Sequence, residues 1–235
     1  MNKSNLSMRI FGLLLLAPIA GTAGTLLNEN FDNILLLPGN GWAMVNNSAP
    51  VGPGTWFQGN GAVFPANSGA ADSYIGNNYL AAAAGGNISS WLITPELAFS
   101  DLVQIDFYTR TDANSIYPDE LELRVSLNGP STNVGLTDTS VGDFATLLLT
   151  VNPTLAVGGY PETWTHVSAA IQFGSPVSGR IAFRYAVPNT DLNGNYIGID
   201  DLSIQSSTGV PEPGTMGLLG LGLGLSAMLR TRFQR

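Results

Sequence analysis

Carboxylates are the most abundant groups in this chain that could do chemistry. Its 235 residues hold 17 Asp and Glu against 9 Lys and Arg, with one histidine and no cysteine. The missing cysteines exclude a thiolate nucleophile or thiolate zinc site, and a single histidine excludes a multi-histidine zinc centre. Any Ser-His-Asp triad would need His166 as its base. That residue lies in Thr163-Trp-Thr-His-Val-Ser168, a strand pattern with no sharp nucleophile turn beside it. It reads as a partly exposed strand histidine. Glu120 and Glu122 are two positions apart on one strand face, close to the spacing of a retaining glycosidase pair. Arg124 continues the same polar face, and the better reading is a solvated surface. Asp191-Leu-Asn-Gly-Asn195 has the composition of a calcium loop, but its glycine is misplaced and no distal glutamate follows. The segment predicts a hairpin turn. Aromatic faces could stack on sugar rings, and Trp42, Trp56, Tyr74, Tyr79, Tyr117 and Tyr160 fall in or beside loops. Trp91 and Trp164 read as core residues, and no sugar-binding set can be assigned.

Both ends of the chain read as addresses rather than as parts of a domain. Lys3 and Arg9 precede the apolar run Ile10–Ala17, and Gly21-Thr-Ala23 offers the small residues a signal peptidase cuts after. Residues 1–23 therefore predict a secretory signal peptide, too short in its apolar part to span a bilayer. At the other end Pro211, Glu212 and Pro213 precede the apolar run Met216–Leu229, and Arg230, Arg232 and Arg235 close the chain. A rigid punctuator, a short apolar helix and a basic end make a processing signal with transient membrane association. Residues 209–235 closely resemble the PEP-CTERM sorting tail of Gram-negative bacteria. The resemblance implies cleavage near Pro-Glu-Pro by an exosortase and delivery to the cell surface or extracellular matrix.

What remains, residues 24–208, is long enough for one large domain. It keeps only Arg110, Arg124, Arg180 and Arg184 against sixteen carboxylates, a net charge of −12 compared with −8 for the whole chain. Such a surface repels nucleic acid and attracts cations. Period two dominates it. In Leu102–Thr109, Glu120–Leu127 and Arg180–Val187, alternate positions are apolar, predicting strands with one face on a core and the other in water. Shorter candidates are Leu26–Phe31, Gly41–Val45, Ser89–Ile93, Thr146–Val151, Thr163–Ala170 and Tyr196–Ile204. Ala81–Ala84 reads as a helical turn stopped by Gly85-Gly86. Many short strands separated by Gly-, Pro- and Asn-rich turns predict an all-β, antiparallel sandwich of jelly-roll type.

The order of landmarks is more specific than any one of them. Asn28-Glu-Asn-Phe-Asp32 precedes Pro38-Gly-Asn-Gly-Trp42; Ser90-Trp-Leu-Ile-Thr-Pro95 follows, and Tyr196-Ile-Gly-Ile-Asp-Asp-Leu-Ser-Ile204 closes the domain. Across residues 26–205 this resembles the choice-of-anchor J domain, related to cleaved-adhesin and MAM-like jelly rolls. The resemblance implies a structural calcium ion shared by the first and closing strands. Its acids map onto Asp32 and Asp200, with Glu29 and Asp201 as weaker candidates, because strand alternation sends Asp200 and Asp201 to opposite faces. Oxygen donors of this kind suit calcium and no softer metal. It also places Trp42 and Trp56 where packing under loops is at least as good a reading as ligand contact. The function expected is a non-enzymatic exported protein in adhesion, exopolysaccharide association or biofilm structure, with signal peptidase and exosortase as processing partners. The alternative is a lectin or carbohydrate-active enzyme using one face of the sandwich.

Overall fold

The computed structural model describes residues 23–207. The signal segment up to residue 22 and the tail with Pro211, Glu212 and Pro213 lie outside the described residues. The strands, in chain order, are β1 (Ala23–Glu29), β2 (Ala43–Asn46), β3 (Ala49–Val51), β4 (Phe57–Gln58), β5 (Ile75–Asn78), β6 (Ala82–Ile93), β7 (Leu97–Phe99), β8 (Leu102–Thr111), β9 (Leu121–Ser126), β10 (Thr146–Val151), β11 (Thr165–Gln172), β12 (Val177–Val187) and β13 (Tyr196–Ser207). The first sheet has the order β11-β8-β13-β5-β4, and β1 pairs with the far half of β13. The second has the order β10-β9-β12-β6-β2, with β3 beside β6 and β7 beside β12. All pairings are antiparallel. The fold is an all-β sandwich, as the strand periodicity predicts. Among the described residues no helix is long and apolar enough to cross a membrane.

The alternating apolar positions meet between the sheets. Val103, Ile105 and Phe107 of β8 face Leu121, Leu123 and Val125 of β9 and Ile181, Phe183 and Tyr185 of β12, all fully buried in one cluster. Phe107 and Phe183 meet edge to face across the sandwich, with ring centroids 5.0 Å apart. Complete burial of each such side chain stabilises the fold by roughly 1.5–3 kcal/mol.

The outer faces are not solvated in the way alternation predicts. On the second sheet, Trp91, Ile93 and Ala182 are covered by Val134 and Phe144 from the excursion at 127–145. On the first sheet, Phe64, Tyr74 and Tyr196 form a cap that also holds Trp164. Gly198 makes that cap possible, because a Cβ there would lie 2.9 Å from Trp164 and 3.0 Å from both Phe64 and Tyr74. Trp164, expected in the core, is thus only partly buried, and its Nε1 donates to the carbonyl of Pro65 at 2.8 Å.

Two local expectations are corrected. The turn near Ala81 is a short 3-10 helix at Tyr79–Ala81, after which β6 runs straight through Gly85-Gly86. Gly85 has φ +70°, and pairing with β3 slips nearby between Ala49 and Val51, so the glycines make a bulge rather than a stop. The 191–195 segment is not a hairpin. Its flanking strands, β12 and β13, belong to different sheets, so it is a crossing between sheets at one end of the sandwich.

Candidate functional site

Three constellations of polar residues lie on this frame, and the first is the acid site at the closing strand. β13 pairs with β8 in register up to Asp200 and resumes at Ser203, so Asp201 sits in a bulge with φ +47°. The bulge defeats the alternation argument and turns both aspartates toward one loop. Asp200, fully buried, accepts backbone N–H groups from Asn67 at 2.9 Å, Ser68 at 3.2 Å and Asp201 at 2.8 Å. Asp201 accepts from the side chains of Asn67 at 2.7 Å and Ser68 at 2.6 Å. Burial pushes the Asp200 carboxyl up to about 6, despite those donors. Asp32 reaches the same loop: a Cβ on Gly69 would stand 3.4 Å from its Oδ1. Gln58 ties the two segments together, its amide donating to the carbonyls of Phe31 at 2.8 Å and Asp72 at 2.6 Å. Glu29 Oε1 accepts the N–H of Phe31, the residue before Asp32, at 2.8 Å. The donors gathered here are oxygens and suit a hard cation. Even so, no group of three or more Asp, Glu, His or Cys side chains among the described residues is placed to hold a metal. Loop oxygens at 67–69 would have to complete any such site.

The second constellation replaces the expected solvated face of β9. Glu122 is only 9% exposed. Its carboxylate takes a two-pronged contact from Arg124 at 2.7 and 3.1 Å and a third from Arg184 at 3.0 Å. Arg184 also donates to Ser89 Oγ at 3.1 Å and to the carbonyl of Asp138, and it lies 5.2 Å from the ring centre of Trp91. Arg124 donates to the carbonyl of Phe144 at 3.2 Å. The two arginines therefore fasten the 127–145 excursion to the sheet through its own carbonyls. Burial alone would raise the Glu122 carboxyl, but hydrogen bonds and charge from Arg124 and Arg184 outweigh it and hold the group below its usual range. Glu120 lacks those partners; burial and the neighbouring Glu122 charge push it up to about 7. A Glu122 held by two arginines is poorly suited to act as the nucleophile or base of a hydrolase pair. His166 lies where the strand pattern put it, half exposed with Nε2 3.0 Å from Asp106.

The third constellation is a cleft at the end where β12 crosses to β13. A cavity of about 420 Å³ is lined by Tyr79, Tyr117, Thr190, Asp191, Gly194 and Asn195. Below it Asp119 is fully buried and accepts from Tyr185 Oη at 2.6 Å, the Asn195 N–H at 2.7 Å and the Thr111 hydroxyl. Burial raises its carboxyl against the pull of those three donors. The Gly194 N–H donates to Pro118 at 2.9 Å, and the Tyr79 N–H to Asn195 at 3.1 Å. Of the six loop aromatics that could have met a sugar, Trp42, Trp56, Tyr74 and Tyr160 are buried, while Tyr79 and Tyr117 are exposed. Asp119 and Asn195 carry no sequence signature beyond their place in turns, and the chain pattern does not single them out.

Residues 209–232 match the PEP-CTERM protein-sorting motif. Among solved structures, the K1 cleaved adhesin domain of Lys-gingipain from Porphyromonas gingivalis is similar with a TM-score of 0.55 and 18% identity, over 80% of this chain and 100% of that one. The K3 cleaved adhesin domain of the same protein gives 0.53 and 19%, over 79% of this chain and 99% of that one. At such identities the likeness establishes the jelly-roll fold. No curated protein matches the sequence.

Proposed function

We propose that this chain is an exported, non-enzymatic surface or matrix protein of a Gram-negative bacterium, acting in adhesion or exopolysaccharide association. The observation that carries the reading is the sorting motif over residues 209–232. In this reading a signal peptidase removes residues 1–23, an exosortase cuts near Pro211, Glu212 and Pro213, and residues 24–208 are a choice-of-anchor J domain. The adhesin-type sandwich supports it, and so does the acidic surface, which is ill suited to nucleic acid. Replacing Glu212 by alanine in the full chain, expressed in its own host, should leave the tail attached and move the protein from the surface to the membrane fraction. Unchanged surface delivery of that variant would overturn sorting by this motif.

Within the same reading Asp200 and Asp32 hold a structural calcium ion against the 67–69 loop, with Glu29 organising the Phe31 turn beside them. The ion supplies positive charge where a buried carboxylate otherwise resists ionising, and so ties the first strand to the last. At a hundredfold excess over its dissociation constant, bound calcium stabilises the fold by about 2.7 kcal/mol. Chelator should therefore lower the Tm of the calcium-loaded protein by roughly 5 °C or more. Asp200→Ala and Asp32→Ala should abolish that response. A melting curve unmoved by chelator would remove calcium from the account.

A further inference from the structure

We infer that the cleft between Tyr79 and Tyr117 binds a neutral oligosaccharide. The inference rests on the surface-glycan reading above and gives it a ligand class and a location.

Tyr79 is 48% exposed and Tyr117 43%, and among the described residues every other Phe, Trp and Tyr is buried or largely covered. Both line one cavity, although they come from separate segments, Tyr79 after β5 and Tyr117 between β8 and β9. Its volume of about 420 Å³ falls within the ~300–1,000 Å³ usual for small-molecule sites. Tyrosine combines an apolar face, on which the C–H face of a pyranose can stack, with a hydroxyl that can meet a sugar hydroxyl. Thr190 is committed, its hydroxyl donating to the carbonyl of Ala83 at 3.0 Å, but the rest of the polar lining is free to bind. Neither phenol hydroxyl, nor the Asp191 carboxylate, nor the Asn195 side-chain amide has a hydrogen-bond partner among the described residues. Acceptor and donor groups thus stand between two aromatic walls.

The walls are fixed before any ligand arrives. The Tyr79 backbone is bonded to Asn195, Asn195 to Asp119, and Gly194 to Pro118. Ser115 Oγ both accepts from the Tyr117 N–H at 3.2 Å and donates to its carbonyl at 3.0 Å. Asp191 lies over Gly85, where a Cβ would approach its Oδ2 to 3.1 Å. A site assembled in advance loses little ordering entropy on binding. The sign of the charge selects the ligand. No Lys or Arg lines the cleft, Asp191 does, and the domain carries −12, so acidic sugars and phosphates are repelled and neutral hydroxyl-rich chains are favoured.

The test uses the full chain in a detergent that contains no sugar, titrated calorimetrically with cellohexaose, mannohexaose and galactohexaose. A polygalacturonate hexamer serves as the acidic comparison. At least one neutral hexamer should bind, more tightly than the acidic one. Tyr79→Ala and Tyr117→Ala should each weaken binding about tenfold, with Tm unchanged because both side chains are exposed. Asp191→Ala should weaken it too, and Tyr108→Ala, outside the cleft, should not. Absence of binding to all three neutral hexamers overturns the inference. So does affinity that survives both tyrosine substitutions, or preference for the acidic hexamer. Surface delivery of the Tyr79→Ala, Tyr117→Ala double variant is followed in parallel, so loss of sugar binding and loss of sorting are read separately.

Discussion

Glu122→Ala should destabilise the protein by about 3–5 kcal/mol, the usual loss when one partner of a buried charge network is removed. For a domain of this size that lowers Tm by roughly 10 °C. The cause lies in what is left behind: Arg124 and Arg184, both nearly buried, would face each other without the carboxylate that neutralises them. Their grip on the carbonyls of Phe144 and Asp138 would loosen, freeing the excursion that covers Trp91. Thermal melts with Glu120→Gln as the comparison check this, since Glu120 makes no ion pair among the described residues and should cost little. The pH dependence has a definite sign. Glu122 is held below its ordinary pKa, so its contribution is present above that ordinary value and disappears as pH falls through the depressed one. The gap between wild type and Glu122→Ala should narrow in acid. A shift below about 2 °C at neutral pH would restore the solvated face that strand alternation predicts.

Asp119→Ala should cost about 3 kcal/mol or more, because each buried donor stranded without an acceptor costs about 1–3 kcal/mol. Tyr185 Oη and the Asn195 N–H lose their partner, while Thr111 retains the carbonyl of Tyr196 at 3.0 Å. Asp119→Asn should be milder, since one oxygen remains to accept and burial already disfavours the charged form. Hydrogen exchange at Asn195 should accelerate in the alanine variant, and the 190–195 wall of the cleft should loosen with it. An alanine variant that melts like wild type would show that this aspartate is no hub.

The inner half of the sandwich was legible because period two speaks directly about a core. Val103, Ile105 and Phe107 face inward as their spacing requires, as do Leu121, Leu123 and Val125. The outer half was not, because alternation cannot tell water from a covering loop. The covering segment at 127–145 is mostly Gly, Ser, Thr and Asn, which reads as turn, and Val134, Val141 and Phe144 are the apolar residues that pack it on the sheet. Glu122 consequently looked like a surface residue. Asp32 and Asp200 both approach the 67–69 loop, and the bulge that brings Asp201 to the same place depends on pairing with β8 and leaves no mark in the chain. Tyr79 and Tyr117 were among the aromatics noted from sequence. Trp42 and Trp56 are buried in the core between the sheets, whereas Tyr79 and Tyr117 flank the crossing from β12 to β13, and the turn-rich sequence around all four carries no mark of that difference.

The claim on which the rest depends is that the chain is a processed export product. The intact mass of the protein recovered from its own cell surface tests it most directly. The account predicts a species beginning near Gly24 and ending within Pro211–Gly214, lacking the apolar run Met216–Leu229 and the arginines beyond it. Native surface protein that still carries Arg235 would contradict it.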